Sequence, residues 1–120
     1  MIVVDTSVWI EFFRQSDQNM SDLLTAHLED NEVIGLSAIF GELLQGVRNE
    51  TEEKIILEFW RSLPKVDESE LWIEAGKLSF KRKLISKGIG LIDSYILATV
   101  KMHKFSLWTL DKRLLKEFQS

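Results

Sequence analysis

The residues of this 120-residue chain that could do chemistry are its acids. Cysteine is absent, which removes thiol nucleophiles, zinc–thiolate sites and disulfide scaffolds together. The two histidines, His27 and His103, fall on a polar helix face and at a helix C-terminus, and no Ser-His-Asp triad can be assembled around either. The helix dipole favours a cation at that terminus, which accounts for His103. Four carboxylates are distinguished by where they fall. Asp5 follows an apolar β-branched run that reads as the first strand, Asp111 follows the last strand, Asp93 opens the most apolar helical stretch, and Glu42 lies one turn into a helix between Gly41 and Gly46. Singly, each has a plain structural explanation: aspartate is among the best N-caps, and Glu42 suits an exposed helix face. Together they point elsewhere. Converging carboxylates repel one another and lose solvation. Hard divalent ions such as Mg²⁺ or Mn²⁺ relieve that cost. Such a site suits phosphodiester hydrolysis, one ion activating a bound water and another stabilising the leaving oxygen.

Positioning these acids requires alternating strands and helices. Met1-Ile2-Val3-Val4 reads as a buried strand running into a helix N-terminus at Asp5-Thr6-Ser7, and Val8 to Arg14 continues that helix with Trp9, Ile10 and Phe13 inward. After a Gln15–Asn19 loop, Ser21 to Glu29 forms a helix with a Leu23, Leu24, Leu28 stripe. Val33 to Leu36 is a second strand. Ser37 caps a third helix striped by Ile39, Phe40, Leu43, Leu44 and Val47, and Thr51 caps a fourth that Pro64 ends. Lys65-Val66-Asp67 reads as a strand, Glu68 to Lys87 as a long helix stopped by Gly88, Asp93 to His103 as a central helix, Phe105 to Leu110 as the last strand, and Lys112 to Phe118 as the closing helix. This order predicts a helix-rich α/β domain with a small central parallel sheet and helices on both faces. Ligands of such sheets bind beyond the carboxyl ends of the strands, where Asp5 and Asp111 fall and Glu42 can reach.

Composition narrows the class. Fifteen basic against nineteen acidic residues leave a net charge of −4, which argues against binding of long duplex DNA by bulk charge. No apolar run approaches the roughly 20 residues of a membrane span. With no secretory pattern and no cysteine, a reducing cytoplasm is the expected compartment. Neither a repeat nor a linker divides the chain, so one domain over 1–120 is expected.

The acids and their neighbours resemble a known family. Val3-Val4-Asp5-Thr6-Ser7, Glu42-Leu43-Leu44-Gln45-Gly46, Leu91-Ile92-Asp93-Ser94-Tyr95-Ile96-Leu97-Ala98 and Leu107-Trp108-Thr109-Leu110-Asp111 match, in order and spacing, the four acidic motifs of PIN-domain ribonucleases, and specifically of VapC-type toxins of toxin–antitoxin pairs. The resemblance spans essentially the whole chain and implies a three-layer PIN-like fold. It implies that Asp5, Glu42 and Asp93 hold a first Mg²⁺ or Mn²⁺, and that Asp111 supports it or a second ion. The attacking group is then water rather than a protein nucleophile. Thr6 and Thr109 become candidates for orienting carboxylates or water, beside the plainer reading of backbone bonding at a strand end. The implied partners are an RNA substrate, a cognate antitoxin protein and a second copy of the chain. After Asp111 the chain departs from many relatives, since Lys112, Arg113 and Leu114 stand where another acid is usual, so a second ion has one ligand fewer.

Other residues admit both functional and structural readings. Arg14, Arg48, Lys112 and Arg113 fall nearest the inferred crevice and suit RNA phosphates, whereas Lys77, Lys81, Arg82, Lys83 and Lys87 suit a solvated face. Trp60 and Trp108 suit the core better than base stacking. Trp9, Phe12 and Phe13 with Leu43, Leu44 and Val47 could form an apolar groove across which, by the resemblance, an antitoxin helix and tail lie. Two other classes remain open from sequence: an aspartyl-phosphate phosphoryl-transfer domain using Asp5, against which stands the lack of a second acid beside it, and a PIN-like binding module without catalysis, against which stand all four acids.

Overall fold

Strand β1 (Ile2–Val4) is the middle of a three-stranded sheet ordered β2-β1-β3, with β2 at Val33–Ile34 and β3 at Ser106–Trp108. Both pairings are parallel; Val3 stands opposite Ile34 on one side and Leu107 on the other. Val3 and Val4 point to opposite faces and are 0% and 1% exposed, so helices cover the central strand on both sides. The structure, a computed structural model, describes all residues 1–120. Its seven helices are α1 (Thr6–Arg14), α2 (Gln18–Glu29), α3 (Ser37–Gln45), α4 (Glu50–Ser62), α5 (Leu71–Arg82), α6 (Leu91–His103) and α7 (Lys112–Phe118). The helix-rich parallel α/β architecture is the one expected. No helix is long and apolar enough to cross a membrane.

The strands are short because their ends are taken up at once by other bonds. Phe105 donates its N–H back to Val100 at the end of α6, and Thr109 turns its side chain toward Asp5, which confines β3 to three residues of the expected Phe105–Leu110. The expected strand at Lys65-Val66-Asp67 does not form. Only the Pro64 carbonyl meets β2's exit, accepting from Gly35 N–H at 2.9 Å, and Lys65 folds back so that its Nζ donates to the carbonyls of Trp60 and Leu63. The expected Glu68–Lys87 helix is broken at Lys83, whose φ of 55° is left-handed; a 3₁₀ turn at Ile85–Lys87 follows, and Gly88 at φ 78° ends it.

Caps moved for identifiable reasons. Asp17 accepts from Met20 N–H and starts α2 three residues ahead of Ser21, and Asn49 rather than Thr51 caps α4, accepting from Glu52 N–H at 2.9 Å. Ser37 is the first residue of α3, not its cap, and the position before it is Leu36, which has no capping side chain.

The core gathers Trp9, Phe12, Phe13, Phe40 and Phe59 into one aromatic cluster, with Trp9 ring centroids 5.9, 5.8, 5.5 and 5.5 Å from the other four. Trp9 is therefore a core residue, not the wall of a groove. Leu23, placed on the inner stripe of α2 by its spacing, is 57% exposed. α6 is the central helix, with an unbroken buried run from Ser94 to Val100. A buried carboxylate fastens the end of α7: Glu117 pairs with Arg82 at 2.6 Å and Lys87 at 2.8 Å, which draws Arg82 partly out of the solvated face expected of it while Lys87 stays exposed.

Candidate active site

The parallel sheet ends its two longest strands side by side, and the acids follow from that. Asp5 N–H donates to the Trp108 carbonyl at 2.9 Å, so the exits of β1 and β3 are bonded where Asp5 begins. Asp5 is 5% exposed and acts as the N-cap of α1, its Oδ1 accepting from Thr6 N–H at 2.7 Å. Its Oδ2 accepts from Ser7 Oγ at 2.9 Å and from Thr109 Oγ1 at 2.7 Å. Ser7 Oγ also accepts from Leu110 N–H at 3.1 Å, and Thr109 Oγ1 accepts from Asp111 N–H at 3.0 Å. Three hydroxyl and amide donors thus fix Asp5, and two of the side chains involved reach on into the Leu110–Asp111 turn.

Glu42 projects from α3, exposed, and Thr6 Oγ1 donates to its Oε1 at 2.6 Å. Thr6 and Thr109 therefore each contact a carboxylate, as the orienting reading of these residues requires. Asp111 caps α7, its Oδ1 accepting from Arg113 N–H at 2.9 Å and Leu114 N–H at 3.2 Å. Asp93 is not a cap. Gly90 occupies the N-cap position of α6, and Asp93 stands in the first turn of that helix, half-buried, with no side-chain hydrogen bond. The plain explanation thus holds for the backbone contacts of Asp5 and Asp111 and fails for Asp93.

Electrostatics join the four. Burial, followed by the charges of Asp5, Asp111 and Glu42 in that order, pushes the Asp93 carboxyl up to about 6. None of the chain's six ion pairs includes any of the four acids. The donor set is four hard oxygen groups without a cationic partner, whose chemistry fits Mg²⁺ or Mn²⁺ and suits neither softer nor anionic ligands. The carboxylates act on one another across several ångströms without forming a closed cage, since no three of them surround a common ion position. Glu42 would have to turn from Thr6 to offer both oxygens.

An open groove of about 580 Å³ adjoins this centre, lined on its apolar side by Ile10, Phe13, Leu43, Val47, Ile55 and Ile56. Glu42 belongs to its wall, so groove and acidic site are continuous. Arg14 and Arg48 also line it; Arg14 lies 3.6 Å from Glu11, and Arg48 is paired with Glu52 at 2.8 Å. Arg113 lies over the turn before α6, close enough that a Cβ at Gly88 would come within 2.6 Å of its guanidinium. The tryptophans stay out of the acidic centre: Trp60 packs on Phe40 at 5.4 Å, Trp72 on Tyr95 at 4.4 Å, and Trp108 on His27 at 6.3 Å. His27 bonds Glu32, and His103 Nδ1 bonds the Thr99 carbonyl, so neither histidine joins the site.

Sequence reasoning missed Glu68 and Tyr95 and gave Ser7 no role beyond its place at the start of α1. Tyr95, fully buried on α6, donates to Glu68, and burial first, then that bond, pushes its hydroxyl up to about 12. No periodicity could have found Glu68, because its partners lie on α3 and α6.

The family model described as PIN domain matches residues 2–118. Ribonuclease VapC32 of Mycobacterium tuberculosis, in strains CDC 1551 and H37Rv, is 33% identical over 118 residues, covering 95% of this chain and 87% of its own. The crystal structure of FitAcB from Neisseria gonorrhoeae has a similar fold, with a TM-score of 0.67 at 21% identity over 99% of this chain and 94% of that one. The family match over nearly the whole length and the 33% identity to a VapC ribonuclease make the assignment: the chain belongs to the PIN-domain family, among the VapC ribonucleases.

Proposed function

We propose that this protein is a divalent-metal-dependent endoribonuclease and the toxin of a toxin–antitoxin pair. The observation that carries the proposal is the cluster of four carboxylates without a cationic partner, one of them pushed up to about 6 by burial and its three neighbours. Asp5, Glu42 and Asp93 would hold Mg²⁺ or Mn²⁺, with Asp111 in support. When bound, the ion supplies Lewis acidity to the phosphodiester and to the attacking water. The chain's own contribution is orientation. Ser7 and Thr109 hold Asp5 in one rotamer, Thr6 holds Glu42 toward the same pocket, and Thr109 ties Asp111 to Asp5. Arg14 and Arg48 stand along the groove that leads to Glu42 and suit RNA phosphates. The aspartyl-phosphate alternative is weakened because both Asp5 oxygens already accept hydrogen bonds.

The partners follow the same surfaces. An antitoxin helix with an apolar face suits the groove between α1, α3 and α4, and a basic residue at its end, arginine above all, suits the acids. A second copy suits the outer face of α5 and the turn after it, where Ile73, Phe80 and Ile85 are 62%, 85% and 83% exposed.

The test is cleavage of a defined RNA by purified protein with Mg²⁺ or Mn²⁺, with chelator, and by Glu42→Gln. Cleavage should require the ion and fall severely in the variant. Equal cleavage by wild type and Glu42→Gln, or full cleavage in chelator, overturns the proposal.

A further inference from the structure

Helix α3 carries Glu42, yet its N-terminus receives no cap from its own segment, since Leu36 holds that position. The cap comes from 31 residues further along the chain. The Glu68 carboxylate accepts from Ser37 N–H at 3.0 and 3.1 Å and from Ser37 Oγ at 2.8 Å. A carboxylate there also meets the positive end of the helix dipole. The same Oε1 of Glu68 accepts from the Tyr95 hydroxyl, and Tyr95 stands on α6 two residues beyond Asp93. Trp72 of α5 closes the arrangement, its ring 4.4 Å from that of Tyr95. One side chain therefore bonds at once to the helix that bears Glu42 and to the helix that bears Asp93.

We propose that Glu68 is a positioning residue: through Ser37 and Tyr95 it sets α3 against α6, and so sets the separation of Glu42 and Asp93 to suit a divalent ion. The assignment rests on the four-carboxylate reading of the site. Ser37 and Glu42 are five residues apart on one helix, about 7.5 Å along its axis. A tilt released at the N-terminus is carried to Glu42 at that lever arm, while Thr6 alone steadies Glu42 from the other side. The bond to Tyr95 gives α6 the same reference point, so the two helices cannot shift independently while Glu68 is in place.

The experiment measures Mn²⁺ affinity by titration calorimetry on metal-free protein, together with kcat and KM on an RNA oligonucleotide. The proteins are wild type, Glu68→Ala, Glu68→Gln, Tyr95→Phe and Glu42→Gln. Glu68→Ala should weaken Mn²⁺ binding and lower kcat by about 10-fold each, the scale at which supporting groups tune a metal site, with KM for RNA unchanged. Glu68→Gln keeps an oxygen acceptor for Ser37 and Tyr95 and should recover most of both. Tyr95→Phe leaves the cap of α3 intact and breaks only the tie to α6, so it should weaken Mn²⁺ several-fold. If Glu68→Ala folds poorly, Tyr95→Phe alone decides: Mn²⁺ affinity equal to wild type refutes the tie. If Glu42→Gln loses Mn²⁺ while Glu68→Ala and Tyr95→Phe bind it normally, the positioning role fails and the site reading stands. If Glu42→Gln itself binds Mn²⁺ normally, the site reading fails first.

Discussion

Replacing Asp93 with asparagine should stabilise the metal-free protein, although it removes a residue from the heart of the site. A carboxyl carried from 3.8 to about 6 in the folded state is disfavoured as the anion. At full burial that displacement corresponds to about 3 kcal/mol. Asp93 is only half-buried, and solvent screening reduces the figure to about 1–2 kcal/mol. Against this, a negative charge in the first turn of α6 gains about 0.5 kcal/mol from the helix dipole, which asparagine gives up. The net gain for Asp93→Asn at pH 7.5 is then about 1 kcal/mol, or about 3–5 °C in Tm for a domain of this size. Its pH dependence has a definite sign. Because the folded-state value is raised, wild type is favoured below the unfolded value near 4 and loses that advantage as pH rises through about 6. Thermal unfolding of both proteins in chelator, at pH 7.5 and at pH 3.5, below the unfolded value, should show the Tm difference at the higher pH and little or none at the lower. Saturating Mn²⁺ should reverse the order, since a ligand at 100 times its Kd adds about 2.7 kcal/mol to the protein that binds it. A Tm difference independent of pH, or equal stabilisation of both proteins by Mn²⁺, refutes the electrostatic reasoning.

Three further outcomes are expected. Thr109→Val keeps the shape but removes the hydroxyl that donates to Asp5 and accepts from Asp111; urea unfolding should show a loss of about 1–2 kcal/mol, with RNA cleavage reduced by more than that loss of folded protein explains. Gly88→Ala puts a side chain at φ 78° against Arg113 and should cost about 1 kcal/mol, chiefly from the backbone, because the arginine can swing away; an unchanged midpoint would contradict the left-handed turn. Val47→Asp places a charge in the apolar groove and should weaken inhibition by the cognate antitoxin by a larger factor than it lowers RNA cleavage by the free protein; an equal loss of both would show that the groove does not serve the antitoxin's apolar face.

What the sequence disclosed and what it concealed divide along a physical line. β1 and Asp5 were legible because a short apolar β-branched run followed by aspartate couples a buried strand to a helix cap within five residues, and β3 was legible as a strand but not in its bounds. α6 was legible because it is apolar nearly all round. The break at Lys83 was not, since a lysine at φ 55° carries no local signal of the kind glycine gives. Asn49 and Thr51 are both competent caps, and only the extended backbone at Asn49 decided between them. Trp9 read as an inward residue that could also wall a groove until α4 brought Phe59 against it. Asp5, Glu42, Asp93 and Asp111 were singled out from their positions after strands or on helices, and Thr6 and Thr109 became candidates to orient them once the resemblance was drawn. Glu68 was not, because a carboxylate that caps a helix 31 residues away is visible only once α3, α5 and α6 are packed.

The claim at the centre is that these four carboxylates hold the ion on which RNA cleavage depends. Anomalous scattering from crystals equilibrated with Mn²⁺, at a concentration that supports cleavage in solution, tests it directly. The expected result is a manganese peak contacted by Asp5, Glu42 and Asp93, with Glu42 turned from Thr6 and Asp111 alongside. A peak held by other residues, or no peak in this pocket at that concentration, would contradict it.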